Sequence, residues 1–188
     1  AAKLDVQVIN GSGSSGQATG ILNQGSIVSV SYTDATPTVP EFYPTVAQAT
    51  SQVVGGRKMP ATAVVMHPRR WYWQLGALDS SNRPFVVSPS TGPYMAMAVN
   101  NQTEGLSEGL VGFSNVGLPI FIDPNVPTNL GAGTDEDAVI VGRFVDALLF
   151  EGTPRTRALM EVLSSTLTVR FQLYNYVAFT AGRYPSGF

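Results

Sequence analysis

The stretch VVMHPRRWYWQLGALDSSNRPFV, residues 64–86, carries the strongest information about the fold. A short apolar run at 61–66 has the composition of a buried strand and ends at His67. Pro68 favours the first position of a helix, where the missing N–H costs no hydrogen bond. Trp71, Leu75 and Leu78 then share one helical face, and a polar turn follows at 79–84. The stretch therefore predicts a strand, an amphipathic helix, a turn and a further strand.

Strands and helices alternate irregularly along the rest of the chain, which favours the α+β class. Apolar residues between Tyr43 and Val54 recur at helical spacing, and Gly55-Gly56 is the predicted stop of that helix. Leu4–Ile9 is compatible with a strand or with the end of a helix, and 152–154 is predicted to be a turn. Strands are predicted at 26–32, 118–122, 139–141, 144–150 and, from a clean alternation, 167–173. Because 144–150 is apolar on both faces, we expect it to be buried on both sides.

Several segments resemble, in the same order, the major capsid proteins of tailed phages with the HK97-like fold. Residues 64–86 follow that family's order of strand, N-P-x-x-W helix and L-x-D-x-x-G-R-P turn. Three positions depart from the family pattern, because Ser12 and Arg143 replace frequent aspartates and Asn82 replaces a glycine of the turn. The further matching segments are Leu4–Leu22 with its Gly20-Ile21-Leu22, Gly109–Asp123, Ala138–Phe150 and Leu167–Pro185.

The resemblance implies an axial domain made of 4–140 with 177–188, and part of a peripheral domain at 141–176. It also implies that an N-terminal arm, an extended loop and a spine helix precede Leu4 in a longer protein. The peripheral strands would then lack their packing helix, and we expect them to expose apolar surface. Loops 87–108 and 124–137 are the candidates for contacts around the ring axis.

The function implied by the resemblance is structural and not enzymatic. Such subunits form homo-oligomers, as pentamers and hexamers of a closed shell around DNA, in a virion assembled in the cytoplasm of the bacterial host. An encapsulin-type nanocompartment, which shares the fold and encloses an enzyme, is the first alternative. We expect no cofactor, no catalytic residue and no metal site.

Composition agrees with a subunit that buries surface against neighbours. Only 13% of the 188 residues are charged, about half the usual fraction, and interface cores are depleted in charge. The net charge is −2, and basic pairs such as Arg69-Arg70 and Arg155-x-Arg157 are few, so packaged DNA is expected to be contacted non-specifically at most. No apolar run approaches the roughly 18 residues that span a membrane, so no membrane partner is expected. The candidates for contacts between subunits are Tyr72, Trp73, Arg155 and Arg157.

A second alternative, from another class, is a nucleotide-binding enzyme. Gly11-x-Gly13-x-x-Gly16 matches the dinucleotide fingerprint, whose glycines let the backbone approach a pyrophosphate between a strand and a helix. Gly105–Gly109 matches the G-x-S-x-G nucleophile motif, but the one histidine, His67, precedes it, whereas the motif requires a later one. His67 is therefore predicted to cap or pack the helix that follows it.

Overall fold

The computed structural model describes residues 2–32, 34–85, 110–159 and 169–188. Within these ranges four strands form one sheet: β1 (Ala63–Met66), β2 (Leu110–Phe113), β3 (Pro119–Ile122) and β4 (Val139–Gly142). The sheet is mixed and has the order β2-β3-β1-β4. The central strand β1 runs parallel to β3 and antiparallel to β4, so that Val64 lies between Ile120 and Val141.

Three α-helices accompany this sheet in the described residues, which confirms the α+β class. They are α1 (Ala2–Asn10), α2 (Val39–Arg57) and α3 (Pro68–Leu75). Short 3₁₀ turns follow at Ile21–Asn23, Phe144–Asp146 and Pro185–Gly187. Pro68 is the first residue of α3, as its sequence position predicts.

Helix α2 begins with a capping box and ends three residues later than predicted. The Glu41 carboxylate accepts hydrogen bonds from the Thr38 backbone N–H at 3.1 Å and from the Thr38 hydroxyl at 2.5 Å. Gly55 and Gly56 lie inside the helix, and the chain leaves it at Lys58, which adopts a left-handed conformation with φ of 58°. Glycine weakens a helix interior by only about 1 kcal/mol, so tertiary packing can carry the helix past it.

Alternating side chains divide the core into one cluster on each face of the sheet. Val64 and Met66 face α2 and α3, whereas Ile140 faces α1 and the C-terminal segment. The first cluster contains Phe42, Val46, Val53, Ala61, Val64, Met66, Trp71, Ile120 and Val141. The second contains Ile9, Ile21, Val126, Ile140, Ala181 and Phe188. The sheet is therefore the middle layer of the fold.

The glycine loop after α1 is held by close contacts between backbones. The Gly20 N–H donates to the Gly11 carbonyl at 2.9 Å, and the Gly11 N–H donates to Gln7 of α1 at 2.9 Å. A Cβ atom on Gly20 would lie under 3.0 Å from the backbone nitrogens of Asn10 and Gly11, a separation that real Cβ atoms do not show. The two glycines therefore let one stretch of chain lie directly on another.

Beyond β4 the chain forms a two-stranded antiparallel ribbon. Strands β5 (Leu148–Glu151) and β8 (Val177–Thr180) pair in its inner half, and β6 (Arg155–Leu159) and β7 (Arg170–Tyr174) pair in its outer half. Between the halves, residues 152–154 face residues 175–176, and the Gly152 N–H donates to the Tyr176 carbonyl at 2.8 Å. The two halves are thus consecutive parts of one ribbon, joined by a bulge of one extra residue.

Several strand and turn predictions were wrong in this region and elsewhere. Residues 152–154 do not reverse the chain, because both halves continue along the same partner strand. Residues 26–32 form no strand. The predicted strand at 144–150 begins as a 3₁₀ turn, and its expected burial is absent, since Leu149 is 45% and Phe150 59% exposed. The ribbon leaves the sheet here, so the described chain does not cover both of its faces.

An ion pair fixes the start of this ribbon to the end of α2. Arg57 donates to Asp146 through Nε at 2.6 Å and through Nη2 at 3.3 Å, and the Arg57 guanidinium lies 3.9 Å from the centre of the Tyr184 ring. The hydrogen bond from Arg57 lowers the pKa of Asp146, and the positive charges nearby lower it further. The pair therefore joins α2, the 3₁₀ turn before β5 and the C-terminal segment.

We predict that Gly20→Ala destabilises the protein by about 1–3 kcal/mol, since its Cβ would push two backbone segments apart. Gly25→Ala is the matched control, because a Cβ there would meet no atom within 4 Å. Urea unfolding at equilibrium measures both changes. Equal effects of the two substitutions would contradict the close-approach explanation.

We also predict that stability falls with pH below about 4. The folded pKa of Asp146 is lowered from an unfolded value of about 3.9, so the pair stabilises above that value and loses its effect as pH falls through the folded pKa. In Asp146→Asn the free energy of unfolding should be lower at pH 7 and should decline less between pH 5 and pH 2. Asp5→Asn is the control, and a pH dependence identical in all three proteins would refute the prediction.

Candidate functional site

The outer half of the ribbon has one apolar face. Residues directly opposite each other in an antiparallel pair point to the same side, and here Phe171 lies opposite Ala158 and Leu173 opposite Thr156. Phe171 is 78% and Leu173 72% exposed. We call these four residues the apolar face. Two large hydrophobic side chains therefore stand almost fully in solvent at adjacent positions on one side of the ribbon.

The opposite side of the same half carries three arginines. Arg155 lies opposite Tyr174, Arg157 opposite Gln172, and Arg170 opposite Leu159. We call this side the arginine face. Arg155, Arg157 and Arg170 are all exposed and form no ion pair with a carboxylate among the described residues. The outer ribbon is therefore two-faced, with an apolar side and a cationic side.

The inner half extends the exposed apolar surface. Tyr176 beside the bulge is 73% exposed, and large hydrophobic side chains of β5 and β8 are also accessible. Seven exposed large hydrophobics lie on the described ribbon: Leu149, Phe150, Val169, Phe171, Leu173, Tyr176 and Val177. Exposed apolar side chains in this number are typical of interaction surfaces.

The backbone of the ribbon is also incompletely paired. Within the described ranges β5, β6, β7 and β8 each have one partner strand, so both outer edges present free N–H and C=O groups. An isolated two-stranded ribbon is marginally stable in water, and open edges accept further strands. Both the side chains and the backbone of this element are thus suited to packing against another chain.

The four contact residues predicted from sequence fall in two places. Arg155 and Arg157 lie together on the arginine face, where pairing of β6 with β7 adds Arg170. Sequence reasoning missed Arg170, although its place in the alternation of 167–173 was visible. Tyr72 and Trp73 lie on α3 instead, with Tyr72 62% exposed. Trp73 is partly buried against the core and meets Phe42 edge to face at 6.2 Å.

The glycine loop does not provide the context that a dinucleotide site needs. Gly11 follows helix α1 and not a strand, and the element after Gly16 is the short 3₁₀ turn Ile21–Asn23. The fingerprint requires a strand before the loop and a helix after it. Because α1 includes Leu4–Ile9, the alternative prediction of a strand there is wrong.

Other residues that could bind a ligand or take part in catalysis serve local structure. The Nδ1 atom of His67 accepts a hydrogen bond from the Arg69 backbone N–H at 3.0 Å, which confirms that His67 caps α3. Asp137 is paired with Arg70 at 2.5 Å and with Arg69 at 3.6 Å. Among the described residues no group of three His, Cys, Asp or Glu side chains is placed to hold a metal ion. Gly105–Gly109 and the loop 87–108 lie outside the described residues.

Two comparisons with known proteins found no match. No protein-family model matches the chain, and no curated protein matches it significantly. None of the described helices combines the length and the apolar composition that crossing a membrane requires.

We predict different stability effects for the two neighbouring aromatics of α3. Trp73→Ala should destabilise the protein by about 2–3 kcal/mol, because it removes packing against the core and the contact with Phe42. Tyr72→Ala should change the stability of the single chain by no more than about 0.5 kcal/mol, since its side chain is exposed. Thermal unfolding at low protein concentration measures both. A larger loss for Tyr72→Ala would reverse this assignment.

Proposed function

We propose that this protein is a structural subunit that assembles with copies of itself into a closed shell, as HK97-like capsid proteins do. The observation that carries the proposal is the apolar face of the ribbon, where Phe171 and Leu173 stand exposed. Burying a side chain of this size contributes roughly 1.5–3 kcal/mol. A subunit that leaves such groups in solvent gains this stabilisation only when a neighbour covers them.

The ordered sequence resemblance supports the finer part of the proposal. Gly20 of the G-I-L match lies where two backbones touch, so a glycine is physically required there. Asn82, which replaces the family's turn glycine, has φ of 59°, a conformation that asparagine tolerates better than other non-glycine residues. The polar turn is closed by Asp79, which accepts hydrogen bonds from the backbone N–H groups of Ser81 at 2.7 Å and Arg83 at 2.9 Å.

The proposed mechanism is assembly and not catalysis. Subunits join as pentamers and hexamers, and these tile a shell around DNA in a virion built in the bacterial cytoplasm. Ring contacts are heterologous, so each subunit offers one surface and receives another. The ribbon provides the first of these surfaces, through its apolar side chains and its open backbone edges.

We predict that Phe171→Ser with Leu173→Ser lowers self-association without unfolding the chain. Both side chains are exposed in the single subunit, so their loss should leave its melting temperature nearly unchanged. Light scattering coupled to size exclusion, over a range of protein concentrations, measures the assembly state. The wild type should form larger species as concentration rises, and the double variant should remain a monomer.

Gln172→Ser is the matched control, because Gln172 lies between the two residues but faces the other side. It should assemble like the wild type. Negative-stain electron microscopy of the protein expressed with its upstream coding sequence tests the shell itself. A wild type that stays monomeric at every concentration, in both the short and the extended form, would refute the proposal.

A further inference from the structure

We propose that the arginine face of the ribbon binds the phosphate backbone of nucleic acid. This function goes beyond self-assembly, because it uses the side of the ribbon opposite the apolar face. The two faces of one ribbon demand different surroundings. Phe171 and Leu173 are suited to contact with protein, whereas Arg155, Arg157 and Arg170 are suited to a negatively charged partner.

The three arginines form one compact row. Arg155 and Arg157 are two positions apart on β6, which separates their backbones by roughly 6–7 Å on one side of the strand. Arg170 on β7 is the diagonal neighbour of Arg157, at roughly 7–8 Å. Like charges so close together repel each other, and an anion that contacts all three removes that repulsion.

The rest of the protein treats its arginines differently. Of the six others, five lie beside three carboxylates, and Arg183 lies 5.2 Å from the centre of the Tyr184 ring. Arg57 and Arg143 pair with Asp146, Arg69 and Arg70 with Asp137, and Arg83 with Asp79. The basic pair Arg69-Arg70 shares the buried Asp137 carboxylate, so a negative charge already lies against these two arginines. Pairing of β6 with β7 instead adds a third charge to Arg155 and Arg157. The outer ribbon thus places three exposed arginines on one face with no carboxylate of the described residues paired to them.

Two features favour nucleic acid over an acidic protein segment. The arginines follow an extended ribbon at regular steps, which suits a polymer whose backbone carries one phosphate charge per unit. Guanidinium groups also bind phosphate in a bidentate manner. Tyr174 lies on the same face as Arg155, and the Tyr176 ring meets the Tyr174 ring edge to face at 6.0 Å. Aromatic rings beside arginines are the platform on which unpaired bases stack.

Salt dependence gives the expected size of the effect. Three phosphate contacts give a slope of log K against log salt of about −2.7 for duplex DNA and about −2.1 for single strands. Raising salt from 50 to 200 mM should therefore weaken duplex binding about 40-fold. The net charge of −2 and the carboxylates beside five of the other arginines weaken non-specific attraction elsewhere.

The test is fluorescence anisotropy with labelled single-stranded and duplex DNA of random sequence, across this salt range. The variant carries Arg155→Gln and Arg157→Gln. The matched control carries Lys3→Gln and Lys58→Gln, which removes the same charge from exposed positions off the ribbon. The arginine variant should lose about 2 units of slope on duplex DNA, so that the same salt change weakens its binding only 3- to 4-fold. The lysine control should keep the wild-type slope.

The proposal would be overturned if the arginine variant and the lysine control lost the same amount of slope. It would also be overturned if the wild type bound no DNA at 50 mM salt. Binding of labelled polyglutamate without binding of DNA would also overturn it, and would indicate an acidic protein partner instead. Phe171→Ser with Leu173→Ser separates this proposal from assembly. That variant keeps all three arginines, so it should retain the wild-type salt slope on DNA even as a monomer.

Discussion

The pairing of β1 on both of its edges is the constraint on which the rest of the fold depends. β1 joins β3 on one side and β4 on the other, and Val64 and Met66 are almost fully removed from water. A strand this short and this buried allows one register, because a slip of one residue would turn Val64 and Met66 to the wrong face. α3 begins two residues after it, so Trp71 packs against the same core cluster.

The end of β4 is fixed as tightly as its centre. Gly142 pairs with Ala63, and a Cβ atom on Gly142 would collide with the Phe188 ring. Phe144 meets that ring edge to face at 5.5 Å, and Arg57 then clamps Asp146. The ribbon therefore begins at a rigid base, although little of the described chain covers its outer half. A rigid base with an uncovered arm is suited to presenting two chemically different faces outwards.

Local signals in the sequence predicted the parts of the fold that depend on local physics. Pro68 and His67 fix the start of α3 through a missing donor and a capping nitrogen, so the sequence shows both directly. The buried β1 was predicted from its composition alone. The predicted helix end at Gly55-Gly56 was wrong because a helix tolerates glycine in its interior when tertiary packing continues beyond it. The helix ends instead at Lys58, whose left-handed conformation cannot be predicted from its residue type.

The errors over 144–154 have a different cause. Apolar composition on both faces predicts burial, but composition does not say which molecule provides the cover. The arginine face was only half visible, because Arg155 and Arg157 are neighbours in sequence, whereas Arg170 joins them through strand pairing. Local sequence patterns do not show which strands pair or in which register. For the same reason, the bulge at 152–154 resembled a turn.

The ribbon and the sheet also differ in how far apart their paired strands lie in the chain. The outer ribbon pairs β6 with β7, which are close in sequence, whereas the central sheet brings β1 to β3 and β4 across much longer stretches of chain. Closing a long loop costs more entropy than closing a short one, so the pairing of β6 with β7 carries the smaller closure cost. Phe171 and Leu173 are exposed in the completed fold, so closing the sheet does not remove them from water. The apolar surface of the ribbon thus persists in the mature single subunit, and only a further chain can cover it.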